Sequence, residues 1–315
     1  MRRRVAAPIV SLHVTAPLNR TMLDRLAPLS FVLIWSSSFI ASRVGLRHLT
    51  PLLFVSVRMW VCAAILLSVV LVLRRPWSAL RGNWQHSAVA GILVNAILLM
   101  TAHAAMTRVP AAPIALIQTL NPLLTAALAW PVLGERLAPR QWLGLFLGAA
   151  GVVLIVGLAA LRSRVETHLL LLTVGGVVAL VGGTLYFGRY CRGVPLLEGT
   201  MVQFGASAVT CTLCMWLFET PHGDWTTGAI ASVAWNAGVV SLGGIVLYLL
   251  MLERGTVARA TANFYLVPGV AAVLAWSLLG ERLAPLTVVG LAVSSVGCWL
   301  VSRKPAPLSG RDHDA

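Results

Sequence analysis

Lysine occurs once in the 315 residues, as Lys304, and Asp and Glu together number ten. A single lysine in the tail excludes a G-x-x-x-x-G-K phosphate loop, and with it direct drive by ATP. Carboxylates are also missing where chemistry would need them: Asp24, Glu135, Glu166, Glu198, Glu219, Asp224, Glu253 and Glu281 all fall at or near the ends of apolar runs. The runs offer no paired carboxylates for a metal and no exposed nucleophile–base set, which weighs against a membrane enzyme. Cysteine is sparse, with Cys62, Cys191, Cys211, Cys214 and Cys298 mostly inside apolar runs. Cys211 and Cys214 form a C-x-x-C without His or further Cys, so no disulfide framework, metal site or cofactor is expected.

What is abundant is apolar. Hydrophobic residues make up 58% of the chain and charged residues 11%, with a mean hydropathy of +0.85. Apolar runs of about 18–22 residues recur, each long enough to cross roughly 30 Å of hydrocarbon. The expected fold is therefore an all-α polytopic membrane protein, with the lipid bilayer as its surroundings. Ten transmembrane helices are expected at about 27–44, 52–73, 87–106, 111–133, 140–160, 168–187, 199–218, 229–251, 257–279 and 284–302. A net charge of +14 would point to nucleic acid in a soluble chain. Here the arginines sit between spans, where they set orientation, and no nucleic acid is implied. Residues 1–26 read as a cytoplasmic N-terminal segment in which Met22 is as good a start as Met1; the first stretch is too polar and proline-broken for a signal peptide.

The chain writes one unit twice. The segment from Leu120 to Pro139 recurs from Leu266 to Pro285 without a gap, 146 positions on. Pro122 falls on Pro268, Trp130 on Trp276, and Gly134-Glu135-Arg136-Leu137-Ala138-Pro139 on Gly280-Glu281-Arg282-Leu283-Ala284-Pro285. Gly144 and Gly151 continue onto Gly290 and Gly297. The units are 27–160 and 168–302, joined by a linker at 161–167 and followed by a cytoplasmic tail at 303–315. Five spans per unit is odd, so the second unit enters the membrane from the opposite side. Two inverted five-helix repeats of this kind are characteristic of secondary transporters. With the N-terminus inside, sixteen basic residues (Arg2, Arg3, Arg4, Arg20, Arg25, Arg74, Arg75, Arg81, Arg136, Arg140, Arg189, Arg192, Arg254, Arg303, Lys304 and Arg311) lie on the inner side. Six (Arg43, Arg47, Arg108, Arg162, Arg164 and Arg282) lie on the outer side. Both termini are therefore expected in the cytoplasm of a cell whose inner membrane holds the protein.

Across residues 27–302 the chain resembles the EamA family of the drug/metabolite transporter superfamily. The marks are Trp35-Ser36-Ser37-Ser38-Phe39, similar to the family's Trp-Gly-Ser-Ser-Phe, then Arg58, then the duplicated Pro…Gly-Glu-Arg-Leu stretch. Ser36 stands where the family usually has Gly. The resemblance implies a ten-helix carrier that exports amino acids, metabolites or drugs, and implies no particular cargo.

A carrier needs polar groups near the bilayer midplane. Pro122 and Pro268 lack an N–H and leave the carbonyls of Gln118 and Phe264 without their helical partners, which is tolerated where a wet cavity or neighbouring helix supplies one. Gln118 and Asn121 flank the first proline on one side, and Asn263 and Tyr265 bring polar atoms to the same level of the second repeat. The structural alternative is a kinked helix whose amides hold neighbouring helices together. Asn95 and His103, eight residues apart, share a face of the third span; His103 is a candidate for proton coupling or substrate binding, or a neutral imidazole satisfied near the helix end. Trp35 and Ser38 are candidate cavity groups, with interfacial packing as the alternative, and Tyr186 is expected to anchor at the interface. Arg58, seven residues into the second span, is assigned a structural or gating role, ahead of snorkelling or attraction of a substrate carboxylate. Glu135 and Glu281 are expected at opposite rims, in turns closed by a left-handed glycine and a helix-starting proline, with a gating ion pair as the alternative.

The lack of mid-span carboxylates disfavours a proton-coupled exporter of cationic drugs. The expected function is a secondary exporter of small neutral or zwitterionic metabolites, such as amino acids, by alternating access. The remaining alternatives are a drug or cation exporter, a non-transporting sensor and a membrane enzyme.

Overall fold

A computed structural model describes residues 20–76, 84–109, 114, 117–118, 120–134, 137–162, 166–191, 194–254, 257–279 and 285–302. Among these residues the chain is helical, and the sole β feature is an isolated antiparallel bridge between Leu49 and Gly223. We label the helices in order: α1 (Arg20–Gly45), α2 (Pro51–Val72), α3 (Trp84–Met106), α4 (Leu120–Leu133), α5 (Pro139–Arg162), α6 (Thr167–Tyr190) and α7 (Leu196–Phe218). The segments Thr227–Ala234, Trp235–Gly243 and Gly244–Arg254 run on as α8; Val257–Ala262, Asn263–Leu266 and Val267–Leu279 as α9; Pro285–Ser302 is α10.

Eight of the described helices are long and apolar enough to cross a membrane, and the stretches Leu120–Leu133 and Pro139–Ile155 are shorter apolar helices. Large apolar side chains cover the outside, among them Val72, Phe218 and Leu217, each more than 70% exposed. Such a surface is stable against lipid and not against water. The chain is a multi-pass membrane protein.

Three helices depart from α geometry where the sequence gives reason or where packing demands it. Residues Ile92–Ile97 of α3 and Trp235–Gly243 of α8 are π-helical. Shifted by 146 positions, the first stretch falls inside the second, so both halves widen the same turn. Pro268 lies behind a 3₁₀ turn, Asn263–Leu266. There the Val267 N–H donates to the Phe264 carbonyl, which Pro268 would otherwise leave without a donor.

The principal packing pairs respect the duplication. Helices α2 and α7, α4 and α9, and α5 and α10 join equivalents. The α1–α8 contact is matched by α6–α3, α3–α7 by α8–α2, and α4–α6 by α9–α1. These pairings are therefore unchanged when the halves are exchanged.

The tightest crossing is α5 on α10. A β-carbon added to Gly144 would lie 2.6 Å from the Gly297 carbonyl oxygen, and one added to Gly151 would lie 2.6 Å from that of Gly290. Ser294, equivalent to Gly148, donates to the Gly148 carbonyl at 3.3 Å. Advancing along α5 means retreating along α10, so the two equivalent helices run antiparallel with their backbones in contact. Small residues permit that approach, as in membrane helix pairs generally.

One end of the bundle, which we call the first end, is tied by its connections. Thr50 N–H donates to His222 O at 3.1 Å and Asp224 N–H to His48 O at 2.9 Å. The Glu219 carboxylate accepts from the N–H groups of Leu52 (3.0 Å) and Leu53 (3.1 Å), capping α2 from the end of α7. At the opposite, second end, Gly134 closes α4 with φ 74° and Pro139 opens α5. Glu135, Arg136, Gly280, Glu281 and Arg282 lie outside the described residues.

Candidate functional site

The halves meet around a cavity that encloses, with the open solvent at its mouth, about 590 Å³ of space free of protein atoms. Its wall draws on α1 (Trp35, Ser38, Phe39, Ser42), α2 (Arg58), α3 (Leu98, Leu99, Ala102, His103, Met106), Gln118 with α4 (Asn121), α6 (Leu180), α8 (Val240) and α9 (Phe264). None of these side chains is acidic.

Of the residues expected from sequence, Trp35, Ser38, His103, Gln118 and Asn121 share this wall, and so does Arg58. Arg58 is 3% exposed. Its Nε donates to Ser241 Oγ at 2.9 Å, while its Nη1 has no hydrogen-bond partner. Ser241 lies in the π-helical part of α8, and Cys62, one turn along from Arg58, donates to the Ala237 carbonyl of the same stretch at 3.5 Å. His103 is also 3% exposed. Its Nδ1 lies 2.8 Å from the Leu99 carbonyl, a position that requires a hydrogen on Nδ1. The Nε2 faces Ser42 Oγ at 3.2 Å, and the ring stacks on Phe54 at 5.4 Å.

Along α1 the polar side chains pair with α8. Ser38 Oγ donates to Asn236 Oδ1 at 2.7 Å, Ser42 Oγ approaches the same oxygen at 3.5 Å, and Asn236 Nδ2 donates to Ser232 O at 3.0 Å. Trp235 Nε1 donates to Ser37 Oγ at 3.0 Å, and Ser232 Oγ donates to the Ala41 carbonyl. Sequence reasoning passed over Asn236, which is fully buried, and Ser42. The signal was present: Ser38 and Ser42 are four apart on α1, Ser232 and Asn236 four apart on α8, so each pair shares a helix face.

The other expected residues lie away from the wall. Asn121 accepts from Thr125 within its own helix at 3.0 Å while lining the cavity, but the neighbouring Pro122 is buried outside it. Pro268 does not line the cavity either, and the carbonyl it releases is bonded within the 3₁₀ turn. Asn263 is turned into a side cluster, donating to Ala260 O at 3.1 Å and accepting from Cys298 Sγ at 3.6 Å. Tyr265 is fully buried against Gly148 of α5, and its hydroxyl has no hydrogen-bond partner. Asn95 sits half-buried in the α3 π stretch with its amide nitrogen unpaired. Tyr186 is far from the cavity, at the second end, where its hydroxyl meets His86 Nδ1 at 2.6 Å.

Toward the second end the cavity is floored by aromatic rings. Phe264 stands edge-on to Phe31 (5.2 Å, 85°) and Trp35 (5.1 Å, 86°), and Tyr248 stacks on Phe31 at 5.9 Å. The residues at the equivalent positions of the other repeat carry no aromatic ring: Val177 for Phe31, Val181 for Trp35, Ala102 for Tyr248 and Gln118 for Phe264. Two of these, Ala102 and Gln118, are cavity wall. The other two, Val177 and Val181, are buried in a cluster with Ala129 and Leu185.

Among the described residues no group of three or more His, Cys, Asp or Glu is placed to hold a metal ion. What the arrangement offers is a largely apolar hollow between helices, with Ser38, Ser42, Arg58, His103, Gln118 and Asn121 as its polar groups.

Comparison with known proteins places this geometry in context. Residues 26–157 and 168–303 each match the EamA-like transporter family. The chain is 30% identical over 295 residues to a "probable terminal-alkyne amino-acid exporter" of Streptantibioticus cattleyicolor, covering 87% of this chain and 91% of that protein. It is 24% identical to the uncharacterized transporter YvbV of Bacillus subtilis, covering 87% and 89% of the two chains. It is likewise 24% identical to the uncharacterized inner membrane transporter YedA of Escherichia coli, covering 86% and 87%. A crystal structure 23% identical in sequence superposes with a TM-score of 0.74 over 89% of this chain and 97% of that one, which bears on the fold alone.

Proposed function

The chain belongs to the EamA-like transporter family, and from that premise we propose that it is a secondary carrier exporting small neutral or zwitterionic metabolites, amino acids among them. A transporter needs no catalytic group, and the matched family and the similar proteins are transporters. In this reading the ten helices form two inverted five-helix repeats, and the cavity between them is the substrate site, with Trp35, Ser38, His103, Gln118 and Asn121 in its wall. The exchange-invariant pairing and the antiparallel crossing of α5 with α10 support the inversion. The protein sits in the bacterial inner membrane with both termini in the cytoplasm, supported by sixteen basic residues on one side against six on the other.

The observation that carries the mechanism is the asymmetry of the cavity. On this orientation the first end faces outward, and the Phe31, Trp35, Tyr248 and Phe264 rings form the inner gate. The equivalent outer positions carry no aromatic ring, and we assign the open path to that side. Alternating access then consists of opening the aromatic gate while the first end closes, as rocking repeats do around a fixed site. Export of an amino acid is supported by the 30% identical exporter and by the absence of any acidic wall residue to hold a cation. His103 is the histidine of the cavity wall, and we assign any proton coupling to it.

Reconstitution tests this reading. Proteoliposomes loaded with single unlabelled amino acids are expected to accumulate the same labelled amino acid by counterflow. A full panel of the twenty that moved no faster than in protein-free liposomes would overturn it.

A further inference from the structure

We propose that the cavity holds a carboxylate-binding subsite centred on Arg58, so that the transported class is acids with a free carboxylate, and not their amides, esters or amines. This deepens the transport reading and rests on it.

Arg58 carries a guanidinium into a wall without acidic residues. A guanidinium has five N–H donors in a planar fork. Only Nε is engaged, by Ser241, and Nη1 is left buried and unpaired. A charged group at 3% exposure inside a membrane bundle is costly unless an opposite charge completes it. Glu219, an acidic side chain at the first end, is already engaged by the Leu52 and Leu53 N–H groups. The protein therefore supplies an anion site and leaves the anion to the ligand.

The surroundings define the rest of that ligand. His103 stacks on Phe54, one turn from Arg58, and presents Nε2 beside Ser42. Trp35 and Phe264 floor the cavity seven residues further down α1 from Ser42, about 10 Å at 1.5 Å per residue. The ligand these groups call for is an acid with a compact apolar body, its carboxylate on the guanidinium and its body on the indole and phenyl rings. Two parallel N–H···O bonds to a carboxylate are the strong, directional form of this contact. An amide of the same shape keeps the body contacts and loses the charge.

The experiment uses the full-length purified protein and matched pairs of probes: L-leucine with L-leucinamide, L-phenylalanine with L-phenylalaninamide, and L-norvaline with L-norvalinamide. Ligand-induced shifts in thermal unfolding measure binding, and proteoliposome counterflow measures transport. We expect at least one acid to bind about 10- to 100-fold more tightly than its amide, the range for a hydrogen bond to a charged partner. Arg58→Gln should abolish that preference, and Arg58→Lys should retain part of it. The acid–amide comparison on the unaltered protein decides the matter even if Arg58→Gln fails to fold. Equal binding of acids and amides, no binding of any acid, or an undiminished preference in Arg58→Gln would each overturn the subsite. Amides moving as fast as acids would defeat the substrate class and leave the carrier reading standing. Acids that bound Arg58-dependently but never crossed the bilayer would do the reverse.

Discussion

Replacing Phe264 with leucine probes the inner gate with little loss of apolar bulk. The substitution removes two close edge-to-face ring pairs, with Phe31 at 5.2 Å and Trp35 at 5.1 Å, and a looser one with Tyr248 at 6.3 Å. Each close pair contributes about 0.5–1.5 kcal/mol beyond its buried area. Those contacts exist only with the gate shut, so their loss destabilises that state by about 1–3 kcal/mol relative to the inward-open one. The population open to the cytoplasm should rise about 5- to 150-fold. A cysteine at Leu99, in the cavity wall, reports this in a cysteine-free background. Its rate of reaction with a membrane-impermeant thiol reagent is measured in inside-out and right-side-out vesicles. Inside-out vesicles carrying Phe264→Leu should react faster by that factor. An unchanged rate would refute the assignment of these rings as the gate.

Other outcomes follow from the packing and the wall. Glu219→Gln weakens the cap on α2 and should lower unfolding stability by about 0.5–2 kcal/mol, read as a drop in thermal midpoint; an unaltered midpoint would show the cap contributes nothing. Gly151→Val drives a side chain into the α10 backbone and should cost about 1–3 kcal/mol, whereas Gly182→Ala, with no neighbouring atom within 4 Å, should be close to neutral. Equal effects of the two would contradict the α5–α10 crossing. His103→Gln should remove any stimulation of transport by a proton gradient while counterflow persists; stimulation that survived would move the proton path off His103. Gln118→Ala and Asn121→Ala should each lower counterflow, and wild-type rates in both would remove these side chains from the substrate site.

Much of the architecture was legible because duplication repeats its own punctuation. Gly134 takes the left-handed conformation a helix end requires, and Pro139 and Pro285 open α5 and α10. Glycine pairs 144/151 and 290/297 mark a crossing because only a missing side chain lets two backbones touch. The site was less legible. A proline predicts a freed carbonyl, yet at Phe264 a 3₁₀ turn satisfies it locally, and the same turn swings Tyr265 onto Gly148 and leaves Phe264 on the cavity. The π-helical stretches insert residues into α3 and α8 without any proline or glycine signature at Ile92–Ile97, so the facing of Asn95 does not follow from counting 3.6 residues per turn. The second span alone leaves Arg58 a structural or gating residue, a snorkelling one or a partner for a substrate carboxylate; its place in the wall, bonded to Ser241 of α8, is a tertiary fact that the span does not carry.

The account stands on two bundles lying head-to-tail around one hollow. The direct test places single cysteines at Ser163, between the halves, and at Ser309, in the tail, and asks which side of the membrane each is labelled from. Opposite sides are predicted, with Ser163→Cys reacting from outside and Ser309→Cys from the cytoplasm. Labelling of both from the same side would contradict the inversion, and with it the shared cavity as a path across the bilayer.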